Sequence, residues 1–213
     1  MRIESEQDID KGVRALRRKC VVIRGVHDAV GHPPLRRQLN GFPGLARIIV
    51  GQQLSVASAG AIWGRCEKKF QPFTPDRIAR AREATLRSVG LSASKIRTLK
   101  AVAGAARAGD LPFDLFESLS DSDIHEALTA ISGIGPWTAD IYIMFSLGRA
   151  DAFAPGDLAL QVGAQFAFEQ ENRPTTDELA ELSERWRPWR GVAARLLWAY
   201  YAHLKAQKSA VPI

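Results

Sequence analysis

Cysteine is scarce in this sequence. The chain of 213 residues has two, Cys20 and Cys66, and they are far apart. No metal-ligand spacing can be built from them, and so small a count points to a reducing compartment rather than a disulfide scaffold. Strand signals are also nearly missing. No stretch alternates with period 2, and the β-branched run Val21-Val22-Ile23 is short. The implied fold class is therefore all-α. No uncharged apolar run is long enough to cross a bilayer. The opening MRIESEQDIDKGVRALRRK has no apolar h-region, so it does not read as a secretory signal. The four histidines, His27, His32, His125 and His203, show no ligand or triad spacing and receive no role. Glycine-rich nucleotide loops, serine-nucleophile elbows, internal repeats and low-complexity tracts are absent as well.

What is present is an ordinary globular composition with a basic excess. Hydrophobic residues make up 46% and charged residues 24%, which suits one large domain or two small lobes. Net charge is +6. That balance favours a polyanionic partner, because phosphates attract Lys and Arg and release counterions on binding. A soluble protein that is merely basic fits the same numbers. Periodicity predicts helices at about 7–19 (Ile9, Val13 and Leu16 on one face), 43–51, 56–70, 76–82, 84–89 and 92–108. Others are predicted at about 121–130, 137–147, 158–168, 176–186 and 189–207. Residues 27–34 read as a loop marked by Gly31 and two prolines.

The informative stretch covers residues 128–160, LTAISGIGPWTADIYIMFSLGRADAFAPGDLAL. Leu128 and Ile131 lie on an apolar helical face. The chain then turns at Ser132-Gly133-Ile134-Gly135, and Pro136 suits the first position of the next helix. Glycine at these two positions permits torsions barred to other residues and clears side chains from the turn. The turn's N–H groups, beside a helix N-terminus, can meet a phosphate directly. A short loop, residues 151–156, then delivers Asp157 to the start of another helix.

This segment resembles the helix-hairpin-helix DNA glycosylases, in which the hairpin is followed by a Gly/Pro-rich loop and a catalytic aspartate. Within that superfamily it is most similar to the alkylation-repair branch, the 3-methyladenine DNA glycosylase II type. Three further blocks match in the same order: GQQLS at 51–55, LRSVGLSASKIRTLK at 86–100 and ERWRPWRGVAARLLWAYY at 184–201. The resemblance implies two helical lobes with the active-site cleft between them. One lobe covers 43–150 and carries the hairpin at 131–135; the other joins 1–42 to 151–213. It implies base-excision repair by a monofunctional glycosylase. Such an enzyme flips an alkylated purine, of the 3-methyladenine or 7-methylguanine type, and hydrolyses its N-glycosidic bond, leaving an abasic site. No cofactor is then required. Relatives with an iron–sulfur cluster need four cysteines, so no iron–sulfur cluster is expected here. In such proteins the hairpin carbonyls can hold Na+ or K+; by alignment those are the carbonyls of Thr129, Ile131 and Ile134. The expected partner is double-stranded DNA containing damaged bases, with no membrane and with the protein acting as a monomer. The expected compartment is the one holding the chromosome: the cytoplasm of a bacterium or the nucleus of a eukaryote.

Asp157 admits two compatible readings. An aspartate after Pro155-Gly156 is a common N-cap, worth about 1 kcal/mol, and the helix N-terminus favours its anion. The resemblance makes the same residue the catalytic acid, which stabilises an oxocarbenium-like sugar. Asp151 opens the same loop and reads as a cap or brace. Gly156 stands where relatives can carry a second acid, so no close carboxylate pair is expected. Trp137 reads either as a core residue or, by the resemblance, as one wall of the base pocket. Lyase-competent relatives have a lysine in that slot, which attacks C1′ as a Schiff-base nucleophile. An indole cannot, so no lyase activity is expected. Trp198 is the second wall by the same alignment. A π-face attracts the positive charge of an alkylated purine by about 0.5–2 kcal/mol per ring. Ile141 occupies a pocket position that is usually aromatic, with Tyr142 displaced by one residue; both stand as pocket candidates. Trp186 and Trp189 read as packing residues.

Gln52-Gln53-Leu54-Ser55 read either as polar residues solvating a turn or, by the resemblance, as the loop that fills the hole left by a flipped base. Gln53 aligns with the inserted side chain, Leu54 is the apolar runner-up, and Gln52 would reach the minor groove. Gly133, Ile134 and Gly135 would bind phosphate through the backbone, with Thr138 either adding a hydroxyl or capping. Lys95, Arg97 and Lys100 form a basic stretch, either a solvated face or a contact to the DNA backbone. Two other functions stand as alternatives. One is a non-catalytic sensor of damaged DNA that keeps the hairpin; the other is a glycosylase for oxidised, deaminated or mismatched bases.

Overall fold

The computed structural model describes the backbone of residues 1–210 and side chains to residue 207. The chain opens with α1 (Glu6–Lys19) and α2 (Val21–Val30). It continues through α3 (Gly41–Gly51), α4 (Val56–Lys69), α5 (Pro75–Arg80), α6 (Glu83–Ser88), α7 (Ala93–Ala108), α8 (Asp121–Thr129) and α9 (Pro136–Ile141). It closes with α10 (Leu158–Ala167), α11 (Thr176–Ser183) and α12 (Arg190–Ala210). Among the described residues the one β feature is an isolated bridge between Arg2 and Arg149. The fold is all-α, as periodicity implied.

Two compact units result, one built from residues 1–37 and 148–213, the other from 38–147. These boundaries correct the expected ones at 42/43 and 150/151. Hydrogen bonds explain the shift. Gln38 N donates to Phe145 O at 3.1 Å, and Gly41 N donates to Tyr142 Oη at 3.0 Å, which ties 38–42 to the second unit. Ile3 N donates to Gly148 O at 2.7 Å and Ala150 N to Met1 O at 3.2 Å, which ties 148–150 to the first.

In the first unit α1 buries Ile9, Val13 and Leu16, the face read from the sequence. Its N-terminus is closed by Asp8 Oδ2, which accepts from Glu4 N at 3.2 Å, Ser5 N at 3.1 Å and Ser5 Oγ at 2.9 Å. That network, the Ser5 hydroxyl first, holds the Asp8 carboxyl down at about 2. Helix α2 corrects the sequence reading, which had no helix at 21–26 and a loop from residue 27. Ile23 and Val26 are buried and α2 packs on α1 and α12, so tertiary burial overrides the weak helix propensity of a β-branched run. At Gly12 a Cβ would stand 2.6 Å from Val192 Cγ2, and at Gly163 one would stand 2.8 Å from Leu197 O. Both glycines let a helix press directly against α12. Helix α11 ends at Ser183 and passes into a short 3-10 turn over 184–186, rather than continuing to Trp186.

In the second unit α3 and α7 bury Leu45, Ile48, Ile49, Leu99 and Val102. Ser92 starts α7 by accepting from Lys95 N at 3.4 Å, and Gly109, at φ 89°, ends it. The expected single helix over 137–147 is two pieces. Helix α9 stops at Ile141, and one π turn follows in which Leu147 N donates to Tyr142 O at 3.2 Å. The Phe145 carbonyl at the end of that turn accepts from Gln38 N.

Candidate active site and DNA-binding elements

Asp157 is the N-cap of α10, with its Oδ1 accepting from Leu160 N at 3.0 Å. The same oxygen accepts from Trp198 Nε1 at 2.9 Å. The two residues expected to be catalytic acid and pocket wall are thus in direct contact. The close approach of α10 to α12 at Gly163 brings them together, since Leu197 precedes Trp198. Asp157 N donates back to Ala154 O at 3.0 Å, and Gln161 Nε2 donates to Pro155 O at 3.0 Å. The Pro155-Gly156-Asp157 turn is therefore fixed from both sides. Asp151 is the brace it was read to be. Its carboxylate pairs with Arg187, and with Arg190 at 3.1 Å, while Glu184 holds the same two arginines at 2.6 and 2.8 Å. A carboxylate held by two N–H donors cannot swing away, and can offer a fixed negative charge to a cation forming beside it.

Trp186 is fully buried against Phe153 and Phe168, and Trp189 packs at Gly12. Both are packing residues, as read.

The hairpin stands in the second unit. Ile134 is buried and anchors it, while Ser132, Gly133 and Gly135 are exposed. Ile131 N donates to Leu128 O at 3.2 Å and Ile134 N to Ile131 O at 3.0 Å. Gly133 has φ 89°, and a Cβ there would stand 1.9 Å from Thr98 Oγ1. Glycine is required twice over, by torsion and by space. At Gly135 a Cβ would meet nothing within 4 Å, so the space before that residue is open. Of the three carbonyls proposed for a monovalent cation, that of Ile131 already accepts one backbone hydrogen bond; those of Thr129 and Ile134 accept none in the hairpin. Carbonyl oxygens with spare lone pairs are the donor set such an ion takes, so the residues fit.

Trp137 is half-buried on the first turn of α9. Tyr142 must be withdrawn from the pocket candidates. It has no exposed surface and packs against Phe113 and Phe116. Its Oη donates to Asn40 Oδ1 at 2.9 Å and accepts from Gly41 N at 3.0 Å. Burial pushes its phenol above the usual tyrosine range. A ring enclosed in this way has no face for a base. Ile141 is buried too, at 7% exposure.

The Gln52–Ser55 loop divides by residue. Gln53 sits at φ 57° and is exposed, and Leu54 is 40% exposed. Gln52 is not free: its Nε2 donates to Thr138 Oγ1 at 2.9 Å. Thr138 is itself only 2% exposed. The pair ties the 52–55 loop to α9, and Thr138, turned inward, has little surface to offer a phosphate. Ser55 caps α4, accepting from Ser58 N at 3.2 Å.

Residues 46–188 match the HhH-GPD superfamily of base excision DNA repair proteins. The chain belongs to that superfamily. DNA-3-methyladenine glycosylase 1 of Schizosaccharomyces pombe is 35% identical to it over 158 residues, 72% of this chain and 69% of that protein. A Schizosaccharomyces pombe 3-methyladenine DNA glycosylase solved in complex with abasic DNA superposes with TM-score 0.76 at 32% identity, covering 82% of this chain and 88% of that one. A DNA-3-methyladenine glycosidase from Bacillus halodurans superposes with TM-score 0.78 at 31% identity, covering 97% and 94%.

Several residues of this HhH-GPD chain escaped the sequence reading. Thr98 lies under the hairpin glycine, and nothing in its helix marks it. Gln161 had a signal in retrospect, one turn after an N-cap aspartate on an apolar helix. Val56 shares a heptad position with Trp63, which would bury it, yet it is 92% exposed beside Leu54 because α4 starts beyond the core. Lys95 and Lys100 are neither a solvated face nor free cations. Lys95 Nζ donates to Val50 O at 2.7 Å, and Lys100 Nζ to Ala79 O at 3.3 Å and Ala81 O at 2.9 Å. They cap the C-terminal ends of α3 and α5, where cations are favoured. Burial lowers the Lys95 ammonium below its usual range. Arg97 remains exposed.

Proposed function

We propose that this protein is a monofunctional DNA glycosylase that flips an alkylated purine, of the 3-methyladenine or 7-methylguanine type, out of duplex DNA and hydrolyses its N-glycosidic bond. The observation that carries the reading is the Trp198–Asp157 hydrogen bond at 2.9 Å, which immobilises a carboxylate next to an aromatic ring. The names of the similar proteins support the same substrate class.

The chemistry follows from charge. An alkylated purine is cationic, so its C1′–N bond breaks with the electron pair moving onto the base, which leaves neutral. The sugar is left as an oxocarbenium-like cation, and the Asp157 carboxylate opposes that charge. Water then adds at C1′ and gives up a proton. Little acid catalysis of the leaving group is needed. Trp198, beside Asp157, supplies a π-face for the cationic base, and a neutral base gains less from it; Trp137 is the second such ring by the resemblance. Tryptophan at 137 has no amine to form a Schiff base, so the strand is left uncut. Gln53, with Leu54 behind it, fills the vacated stack. The hairpin N–H groups of Gly133 and Gly135 hold a phosphate, while that of Ile134, expected to join them, closes the turn on Ile131 O instead; the carbonyls of Thr129, Ile131 and Ile134 would hold a monovalent cation that adds positive charge there. The protein acts as a monomer.

The test is release of methylated purines from treated duplex by wild type and Asp157→Asn, separated by chromatography, with borohydride trapping in parallel. Release by wild type alone, DNA binding retained in both and no trapped adduct is the expected result. Full release by Asp157→Asn would remove Asp157 as the catalytic acid, and a borohydride adduct would overturn the monofunctional claim.

A further inference from the structure

Residues 31–40 contain no helix or strand, yet the segment is held at its centre. Leu35 N donates to Glu6 Oε1 at 3.3 Å, and Leu35 O accepts from Arg195 Nε at 3.3 Å. Both backbone groups of one residue are pinned. The next residue, Arg36, sits at φ 48°, in the left-handed region that non-glycine residues avoid. Arg37 then lies over Gly148, where a Cβ would stand 1.9 Å from Arg37 Nη1 and φ is 70°. Both arginines are exposed, and among the described residues neither guanidinium has an ion pair or hydrogen bond. The nearby carboxylates are committed elsewhere. Glu6 faces Leu35 N and His32, and Asp10 faces His32 at 3.5 Å.

Beneath them Arg195 is 2% exposed and donates Nη1 to Gly191 O at 2.7 Å. Burial, and then the charges of Arg36 and Arg37, pull its guanidinium down to about 10. A strained backbone and three clustered like charges are costs that folding alone does not explain. An anion bound over the pair would relieve the charge repulsion.

We propose that Arg36 and Arg37 form a phosphate clamp for the backbone of duplex DNA, separate from the hairpin and indifferent to the base being excised. The proposal rests on the DNA-repair reading above for its choice of polyanion. Guanidinium forks match phosphate oxygens bidentately, and two of them on adjacent, preordered residues can serve neighbouring phosphates of one strand. The clamp would hold undamaged DNA while the chain searches it.

The experiment is equilibrium binding of the full chain to a lesion-free duplex, by fluorescence anisotropy, across a salt series. Each phosphate contact contributes about 0.9 to the slope of log K against log salt. Arg36→Ala/Arg37→Ala should therefore flatten that slope by about 1.8. Arg36→Lys/Arg37→Lys should retain most of it, because the charge remains. Lys68→Ala/Lys69→Ala, which removes the same charge from the exposed end of α4, should leave it unchanged. Should the alanine variant melt early, Arg36→Gln/Arg37→Gln carries the same test. An unchanged slope in the arginine variants, or an equal loss in the lysine control, overturns the clamp. So does a thermal shift by inorganic phosphate that the arginine variant abolishes while the DNA slope stays constant, since the site would then take free phosphate alone. Binding to lesion-free DNA needs no turnover, so failure of the glycosylase reading appears separately, as absent base release.

Discussion

Trp198→Phe removes one N–H from the site and keeps an aromatic ring. Asp157 Oδ1 accepts two such donors, Leu160 N at 3.0 Å and Trp198 Nε1 at 2.9 Å. A hydrogen bond to a charged group contributes about 1.5–3 kcal/mol. Trp198 is half-buried, so solvent competes for the carboxylate and the lower part of the range applies, about 1.5–2 kcal/mol. The carboxylate meets its full opposing charge only when the glycosidic bond is breaking. The loss should therefore fall on the rate rather than on binding, slowing base release by about 10–30-fold. Single-turnover release of methylpurine at saturating protein measures the rate, and anisotropy with an abasic duplex measures affinity. The expected result is a slowed rate with affinity within about twofold. A rate equal to wild type, or a deficit residing wholly in affinity, would refute the positioning role and leave Trp198 as a wall alone.

The two hairpin glycines should respond differently to alanine. Gly133→Ala forces a Cβ to 1.9 Å from Thr98 Oγ1 at φ 89°, and strain plus overpacking should cost about 2–5 kcal/mol in urea unfolding. Gly135→Ala meets no atom within 4 Å; it should unfold within about 1 kcal/mol of wild type yet bind DNA more weakly. Equal destabilisation by both would contradict the packing argument. Asp8→Ala tests pH linkage at the start of α1. The folded carboxyl lies at about 2, below its ordinary 3.8. Its stabilisation is therefore present above the ordinary value and disappears as pH falls through the folded one. The variant should melt below wild type at pH 6, with the gap closing towards pH 2; a gap independent of pH would remove Asp8 as its source.

Much of the site's local geometry was legible because it is written within a few residues. Ser92 and Gly109 mark the ends of α7, and Asp157 announces itself as the N-cap of α10. The order Gly133, Gly135, Pro136 specifies a tight hairpin. Such signals are chemical: a side-chain oxygen reaches an N–H three residues on, and a glycine takes a torsion others avoid.

Other assignments turned on partners remote in the chain. Gln52 meets Thr138 across 86 residues and Trp198 meets Asp157 across 41. No local pattern distinguishes a glutamine bound inside from one reaching outward, or a lysine capping a neighbouring helix from one in solvent. Tyr142 stood as a pocket candidate by the resemblance and is enclosed by Phe113, Phe116 and Asn40. Val21-Val22-Ile23 looked unlike a helix and became one because α1 and α12 bury its face. By itself the sequence determined the helical class, the tight turn at 132–135 and the N-cap aspartate at 157, because these depend on residue type and short spacing; the catalytic role of Asp157 and the meaning of an indole at 137 are what the resemblance implies. Tertiary structure alone decided which of the polar and aromatic candidates are enclosed and which stay exposed, because burial and hydrogen-bond competition are set by whichever helix packs alongside.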